Sequence, residues 1–280
     1  MKIIDTAVIV EHTARLCVRA NTILGEDIRQ ALVSGMQNEG QTRAAKTLKM
    51  LLENADISRE GHLPICQDTG MVVVFVELGQ EVHIRGGSLT QAIQDGVSLG
   101  YRQGCLRASV VSDPIARQNT GDNTPAVVHY DVVEGDGLTI TVAPKGFGSE
   151  NMSRLSMLTP ADGIQGIRRT VLQTVSDAGP NPCPPLVVGV GIGGTMEKAA
   201  IMSKHALIRP LGVLHPDPFW ASEERQLLEA INSSGLGPAG LGGRTTALGV
   251  HIETYPTHIA GLPVAVNLSC HVTRHKSVSL

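Results

Sequence analysis

The 280 residues carry 23 lysines and arginines against 26 aspartates and glutamates, a formal charge of −3, with 42% hydrophobic and only 2% aromatic residues. Such a chain can build a packed core, but it has no basic footprint for nucleic acid or anionic lipid and too few rings for base stacking or sugar walls. Charged residues at 18% are lean for a free-standing surface, which points to cover by another chain, and 31 glycines point to tight turns and backbone close to ligands.

The opening "MKIIDTAVIV" reaches Glu11 and His12 without a signal-peptide pattern, and no apolar run approaches the roughly 18 residues of a membrane span, so a cytoplasmic location is expected. Ile9, Leu16 and Ile23, then the stretch from Ala31 through Leu48 to Leu52, recur at helical spacing and predict two or three N-terminal helices. "MVVVFVEL" (71–78), bounded by Gly70 and Gly79, reads as a buried strand, which puts "PICQDTG" (64–70) in the loop that feeds it. "SLTQAIQDGVSLGYRQG" (88–104) reads as a helix with Ser88 as its N-cap. The strands "AVVHYDVV" (126–133) and "LTITVA" (138–143) flank "EGDG", the signature of a hairpin with antiparallel pairing. A helix over about 160–178, the strand "LVVGV" (186–190), a glycine turn, the helix "MEKAAIMSKHALI" and a helix near 219–232 follow. The Gly-rich "GLGPAGLGG" (235–243) leads into the strands "ALGVHIE" and "PVAVNL". With no low-complexity linker and no repeat, the expectation is one mixed α/β (α+β) domain over 1–280, its sheets mixed or largely antiparallel and flanked by helices.

Five cysteines without a Cys-x-x-Cys pair predict reduced thiols rather than a disulfide framework. Cys17 falls on a helical pattern beside Leu16 and reads as core; Cys105, after a glycine, is ambiguous, with core packing favoured. Cys66, Cys183 and Cys270 differ, because each sits at a strand edge or in a proline-stiffened loop where side chains from distant segments can converge. Three thiolates could hold zinc with an open fourth position, or three corners of an iron-sulfur cube whose fourth iron acts as a Lewis acid; they could equally be three unrelated buried thiols. "GVGIGG" (189–194) matches Gly-x-Gly-x-x-Gly, but it comes late in the chain, and "HPDP" (215–218) occupies the place of the ribose-binding acid. The preferred reading is a tight strand-to-helix turn whose N–H groups could face an anion. "NTGDNTPAVVH" (119–129) and "APKGFGSENMS" (143–153), with Lys145, read as polar loops lining a small-molecule pocket, with merely solvated loops as the alternative. Arg107 is a candidate fork for a carboxylate, with a surface ion pair as the alternative.

In order along the chain, "PICQDTG", "LRASVVSDP", "NTGDNTPAVVH", "PKGFGSENMS", "CPPLVVGVGIGGTMEKAA", "SKHALIRPLG", "GLGPAGLGGRTTALGVHIE" and "LPVAVNLSC" resemble the α subunit, or iron-sulfur catalytic half, of class I fumarate hydratases and L(+)-tartrate dehydratases. The resemblance implies a 4Fe-4S cluster on Cys66, Cys183 and Cys270, with Cys17 and Cys105 left out. It implies substrate contacts from Gln67, Asp68, Arg107 and the Gly148 backbone, and catalytic roles for Asp68 and His258. The reaction implied is reversible hydration of fumarate to (S)-malate. The alternatives are tartrate dehydration to oxaloacetate or a non-catalytic, cluster-binding assembly subunit. Single-chain members carry a further domain with more active-site residues, whereas this chain stops ten residues after Cys270; a separate β subunit in a heterotetramer is therefore expected, with a small dicarboxylate as substrate. Two positions depart from the family pattern: Phe147 where a glycine is usual, and His271 where tryptophan is common.

Overall fold

The computed structural model describes residues 2–280. In chain order they form β1 (Lys2–Asp5), α1 (Thr6–Thr22), α2 (Glu26–Glu39), α3 (Arg43–Gly61), β2 (Met71–Gly79), β3 (Val82–Arg85) and α4 (Leu89–Gln103). There follow β4 (Val127–Val133), β5 (Leu138–Lys145), the single turn α5 (Phe147–Glu150), β6 (Arg154–Leu158) and α6 (Gly163–Ala178). The last part holds β7 (Leu186–Gly193), α7 (Met196–His205), α8 (Pro218–Asn232), β8 (Ala247–Tyr255), β9 (Leu262–Ser269) and β10 (Lys276–Ser279). The architecture is mixed α/β with mixed sheets, as the sequence predicts. Among the described residues no helix is long and apolar enough to cross a membrane.

The chain divides into two compact units. The first takes the residues up to Leu24, Ala55–Phe147 and Arg274–Leu280; the second takes Gly25–Asn54 and Gly148–Thr273.

The first unit is built on a four-stranded sheet in the order β10-β5-β2-β4, with β1 and β3 as a separate parallel pair. Alternation along the strands sends Val72, Val74 and Val76 of β2 and Leu138, Ile140 and Val142 of β5 to one face, where Ile9, Leu16 and Cys17 of α1 and Ile93 and Val97 of α4 close over them. Each such side chain contributes about 1.5–3 kcal/mol by leaving water. Val73 and Phe75 are buried as well, and the Phe75 ring stacks on His129 at 5.3 Å. A strand buried on both faces belongs at the centre of a sheet, and this decides the pairing that the turn signal misjudged. β4 and β5 are not a hairpin: β4 runs parallel to β2, β5 antiparallel to it, and β2 lies between them. The "EGDG" segment instead crosses the end of β2, where Gly79 N–H donates to Gly137 O at 2.8 Å and Gln80 N–H to Val133 O at 2.9 Å. Ser88 caps α4 as expected, accepting from Gln91 N–H.

The second unit carries the sheet β6-β9-β7-β8, with β7 parallel to β8 and antiparallel to β9. Ile167, Val171 and Val175 of α6 and Leu227 and Ile231 of α8 pack with Val188, Val190, Ile252 and Val266 of the strands. The Gly-x-Gly-x-x-Gly stretch begins within β7, which holds Gly189, Gly191 and Gly193, and ends in the expected strand-to-helix turn, with Gly194 at φ +69 just ahead of α7. Their purpose is steric, since a Cβ on Gly189 would stand 2.0 Å from Ser203 O and one on Gly191 2.1 Å from Ala199 O, so α7 lies directly on the strand's backbone. "HPDP" is a helix start: Asp217 accepts from Phe219 N–H at 2.8 Å and Pro218 opens α8.

Beneath α8, His251 of β8 is buried, with Nδ1–H donating to Ala206 O at 3.1 Å, near the Arg209–Glu224 ion pair. Burial first, then the Arg209 charge, pulls the imidazole down from 6.5 to about 4. The folded form thus holds a neutral His251; as pH falls through 6.5 the unfolded chain takes the proton first, and stability is lost progressively until about pH 4. Thermal melting should record this loss, on the order of 3 kcal/mol, and His251→Gln should flatten the profile between those pH values. Gly191→Ala should destabilise the protein by about 3 kcal/mol or more through overpacking, while Gly137→Ala, with open space around it, stays within about 0.5 kcal/mol; equal melting of the two variants would contradict the packing account.

Candidate active site

In the first unit, Cys66, Gln67 and Asp68 share the loop before β2, with Cys66 and Asp68 half-buried and Gln67 exposed. Cys66 Sγ lies 3.5 Å from Gln67 Oε1. Both Asp68 carboxylate oxygens are engaged: Oδ1 accepts from Gly70 N–H at 3.0 Å and Oδ2 from Phe147 N–H at 2.9 Å. The loop is clamped by buried groups, for Tyr101 Oη donates to Thr69 O at 2.6 Å, and Asn123 donates from Nδ2 to Gly70 O at 3.1 Å while accepting from Ser109 N–H at 2.8 Å. Thr69 Oγ1 donates to Arg107 O at 2.9 Å, so the segment bearing Arg107 is tied to the Asp68 loop while the Arg107 side chain itself is exposed. Gly70, with φ +77, leaves no room for a Cβ, which would stand 2.8 Å from the Lys145 backbone. The Phe147 side chain points to solvent and its N–H holds Asp68, so the extra bulk at this position does not fill the loop.

In the second unit, strand pairing gathers three more positions. Val187 of β7 lies opposite Ser269 of β9, so Cys183, just ahead of β7, and Cys270, just after β9, emerge at the same end of the sheet. His271 Nδ1–H donates to Cys183 O at 3.2 Å, joining the two segments, and Thr273 Oγ1 donates to Cys270 O at 2.8 Å. Cys183 adopts φ +56, uncommon for a non-glycine residue. Gly148 comes to this end too, because β6 pairs with β9 as Arg154 to Val266 and a Cβ on Gly148 would stand 3.7 Å from Asn181 O. Glu150 fixes that segment, bridging Lys204 Nζ at 2.6 Å and Asn267 Nδ2 at 3.2 Å. His258 is not brought to this end. It lies in the exposed turn between β8 and β9, so the eight residues of β9, roughly 25 Å, separate it from Cys270. Two cavities of this unit, about 530 and 560 Å³, open on α6 and contain no cysteine.

A family model described as fumarate hydratase (Fumerase) matches residues 10–279. The chain belongs to the fumarate hydratase (Fumerase) family. A protein of Methanocaldococcus jannaschii, provisionally named an L(+)-tartrate dehydratase subunit alpha, is 41% identical over 280 residues, covering 98% of this chain and 96% of its own length. The L(+)-tartrate dehydratase alpha subunits of Escherichia coli strains UTI89 and K12 are 31% and 30% identical over 268 residues, covering 94% of this chain and 88% of theirs. The Fumerase family and these names indicate a hydro-lyase, and naming the relatives alpha subunits implies a partner subunit.

None of the five cysteines of this Fumerase-family chain forms a disulfide. Cys17 is unsuited to ligation, since burial pushes its thiol up to about 12. Cys105, expected in the core, is exposed at φ +49 just past α4. The donor chemistry of Cys66, Cys183 and Cys270, none of them fully buried or in a disulfide, suits a soft metal centre. Among the described residues, however, no group of three or more His, Cys, Asp or Glu forms a metal-holding set. Sequence reasoning missed Glu150, Lys204, Asn267 and Arg274. Glu150, Lys204 and Asn267 stand inside quoted motifs, and Arg274 four residues after Cys270, but their pairings join segments tens to hundreds of residues apart.

Asn123 is fully buried at φ +61, holding both Gly70 O and Ser109 N–H. Asn123→Ala should cost about 1–3 kcal/mol, read as a lower denaturant midpoint; an unchanged midpoint would show that the clamp carries no load.

Proposed function

We propose that the whole of residues 1–280 acts as the α-type catalytic domain of a cytoplasmic hydro-lyase that interconverts fumarate and (S)-malate, with Cys66, Cys183 and Cys270 as the ligands of a 4Fe-4S cluster. The observation that carries this reading is the arrival of Cys183, Cys270 and Gly148 at one end of the second unit's sheet. Cys66 joins them as third ligand on the strength of the family motif and its free, accessible thiol. When bound, such a cluster supplies a Lewis acid for a substrate hydroxyl through the iron that lacks a protein thiolate.

The remaining work falls to the chain's own groups. The exposed Arg107 guanidinium pairs with one substrate carboxylate in a fork, and the Gln67 amide and Gly148 backbone orient the molecule. Asp68, held by two backbone N–H groups, keeps a further lone pair on each oxygen. It takes the proton from the carbon next to the hydroxyl-bearing one during dehydration and returns it during hydration. His258 is proposed as catalytic from the family motif, although within one chain it stands at the other end of β9. A β-type subunit, in a dimer of heterodimers, supplies the further cations the substrate's second carboxylate needs, in keeping with the alpha-subunit names of the relatives. Those names also favour a second reading, dehydration of L(+)-tartrate to oxaloacetate.

The test is iron and sulfide analysis of the anaerobic protein purified with its partner, followed by rates with malate and with tartrate. Four irons and four sulfides per chain are expected, lost in Cys66→Ser, Cys183→Ser and Cys270→Ser and kept in Cys105→Ser. Asp68→Asn should lower kcat by about 100-fold or more with the cluster intact. A preparation without iron, sulfide or visible absorbance would overturn the cluster and point to an assembly role, and turnover of tartrate alone would move the substrate to the second reading.

A further inference from the structure

We infer that Arg274 is a positioning residue that sets the place of the Asp68 carboxylate, an inference that rests on the hydro-lyase reading for its catalytic consequence. Arg274 is only 6% exposed, and each of its guanidinium nitrogens has its own acceptor within the first unit. Nη2 donates to Asp68 O at 2.6 Å, Nη1 to Asn21 Oδ1 at 3.1 Å and Nε to Pro144 O at 3.4 Å. These acceptors are the supports of the Asp68 loop. Asn21 O accepts from Ile65 N–H at 2.9 Å, fixing the residue before Cys66, and Asn21 is itself anchored on α1 through Cys17 O at 2.9 Å. Pro144, next to last in β5, lies three residues before Phe147, whose N–H holds Asp68 Oδ2.

The guanidinium therefore grips the main chain of Asp68 on one side and the strand leading to its N–H partner on the other, and the carboxylate spans the same two segments. Gly146 permits this convergence, since a Cβ there would stand 3.1 Å from Asp68 Oδ2 and 3.4 Å from Arg274 Nη2. A planar, multidentate cation can satisfy three divergent carbonyl-type oxygens at once; a lysine ammonium on a flexible stem cannot reproduce that geometry. Arg274 touches no reacting atom. Its effect on catalysis passes through the position of Asp68, where an error near 1 Å can cost about 100-fold.

Amide hydrogen exchange reads the anchoring without reference to activity. In Arg274→Lys the Gly70 and Phe147 amides should exchange about tenfold or more faster than in the wild type, while the β2 amides of Val74 and Val76 stay protected. With the partner subunit present, kcat should fall about 100-fold with KM changed less than about threefold, and added guanidinium should restore part of the kcat of Arg274→Ala. Gly146→Ala provides a second variant that keeps Arg274 and its buried charge, with kcat lowered about tenfold at unchanged melting temperature. Wild-type exchange at Gly70 and Phe147 in Arg274→Lys, or a rise in KM at wild-type kcat, overturns the inference. A wild-type protein that turns over neither malate nor tartrate overturns the hydro-lyase reading instead, and the exchange measurement still decides whether Arg274 anchors the loop.

Discussion

The Asp68 carboxylate takes one backbone N–H from its own loop and one from the segment after β5, and the first unit's candidate chemistry hangs on that double acceptance. A carboxylate bonded to two backbone N–H groups has both oxygens held in fixed directions. The cost is that everything behind it must be satisfied in turn. Tyr101 and Asn123 meet the loop's carbonyls, Thr69 donates from the loop to the Arg107 carbonyl, and Arg274 meets the carbonyl of Asp68 itself. Polar groups buried this deeply are expensive unless every one has a partner, so the network either forms together or not at all.

The second unit solves a different problem with different means. Its cysteines belong to segments that flank β7 and β9, and antiparallel pairing alone brings those flanks to one end. Bare backbone along β7 lets α7 settle directly on the strand, and α7 carries Lys204, whose partner Glu150 anchors the Gly148 turn at the same end. Packing and site are thus one arrangement. A methyl group on Gly191 would disturb the seat of α7 and, through Lys204, the turn beside the thiols.

Much of this was legible from residues. β2 and α4 followed from β-branched runs, helical spacing and the Ser88 cap, because each is decided by contacts within a few residues. The failures share a cause. "EGDG" carried a hairpin signal, yet β4 joined β2 instead, since the doubly buried β2 gains more from central placement than a local turn can offer. "GVGIGG" matched a dinucleotide-binding pattern, yet Gly189 and Gly191 serve helix contact along a strand before Gly194 turns the chain into α7. His258 rests on the family motif alone, and the strand direction carries it to the opposite end of β9 from Cys270.

The sequence by itself offered the side chains suited to chemistry: three thiols outside helical patterns, a carboxylate beside one of them, and an arginine, all in motifs whose order resembles the Fumerase family. The tertiary structure alone decided which of them meet. Cys183 and His271 are 88 residues apart in the chain and Asp68 and Arg274 are 206 apart, and their contacts depend on strand register and on the burial of whole faces. Those are sums over many distant residues, which no local pattern encodes.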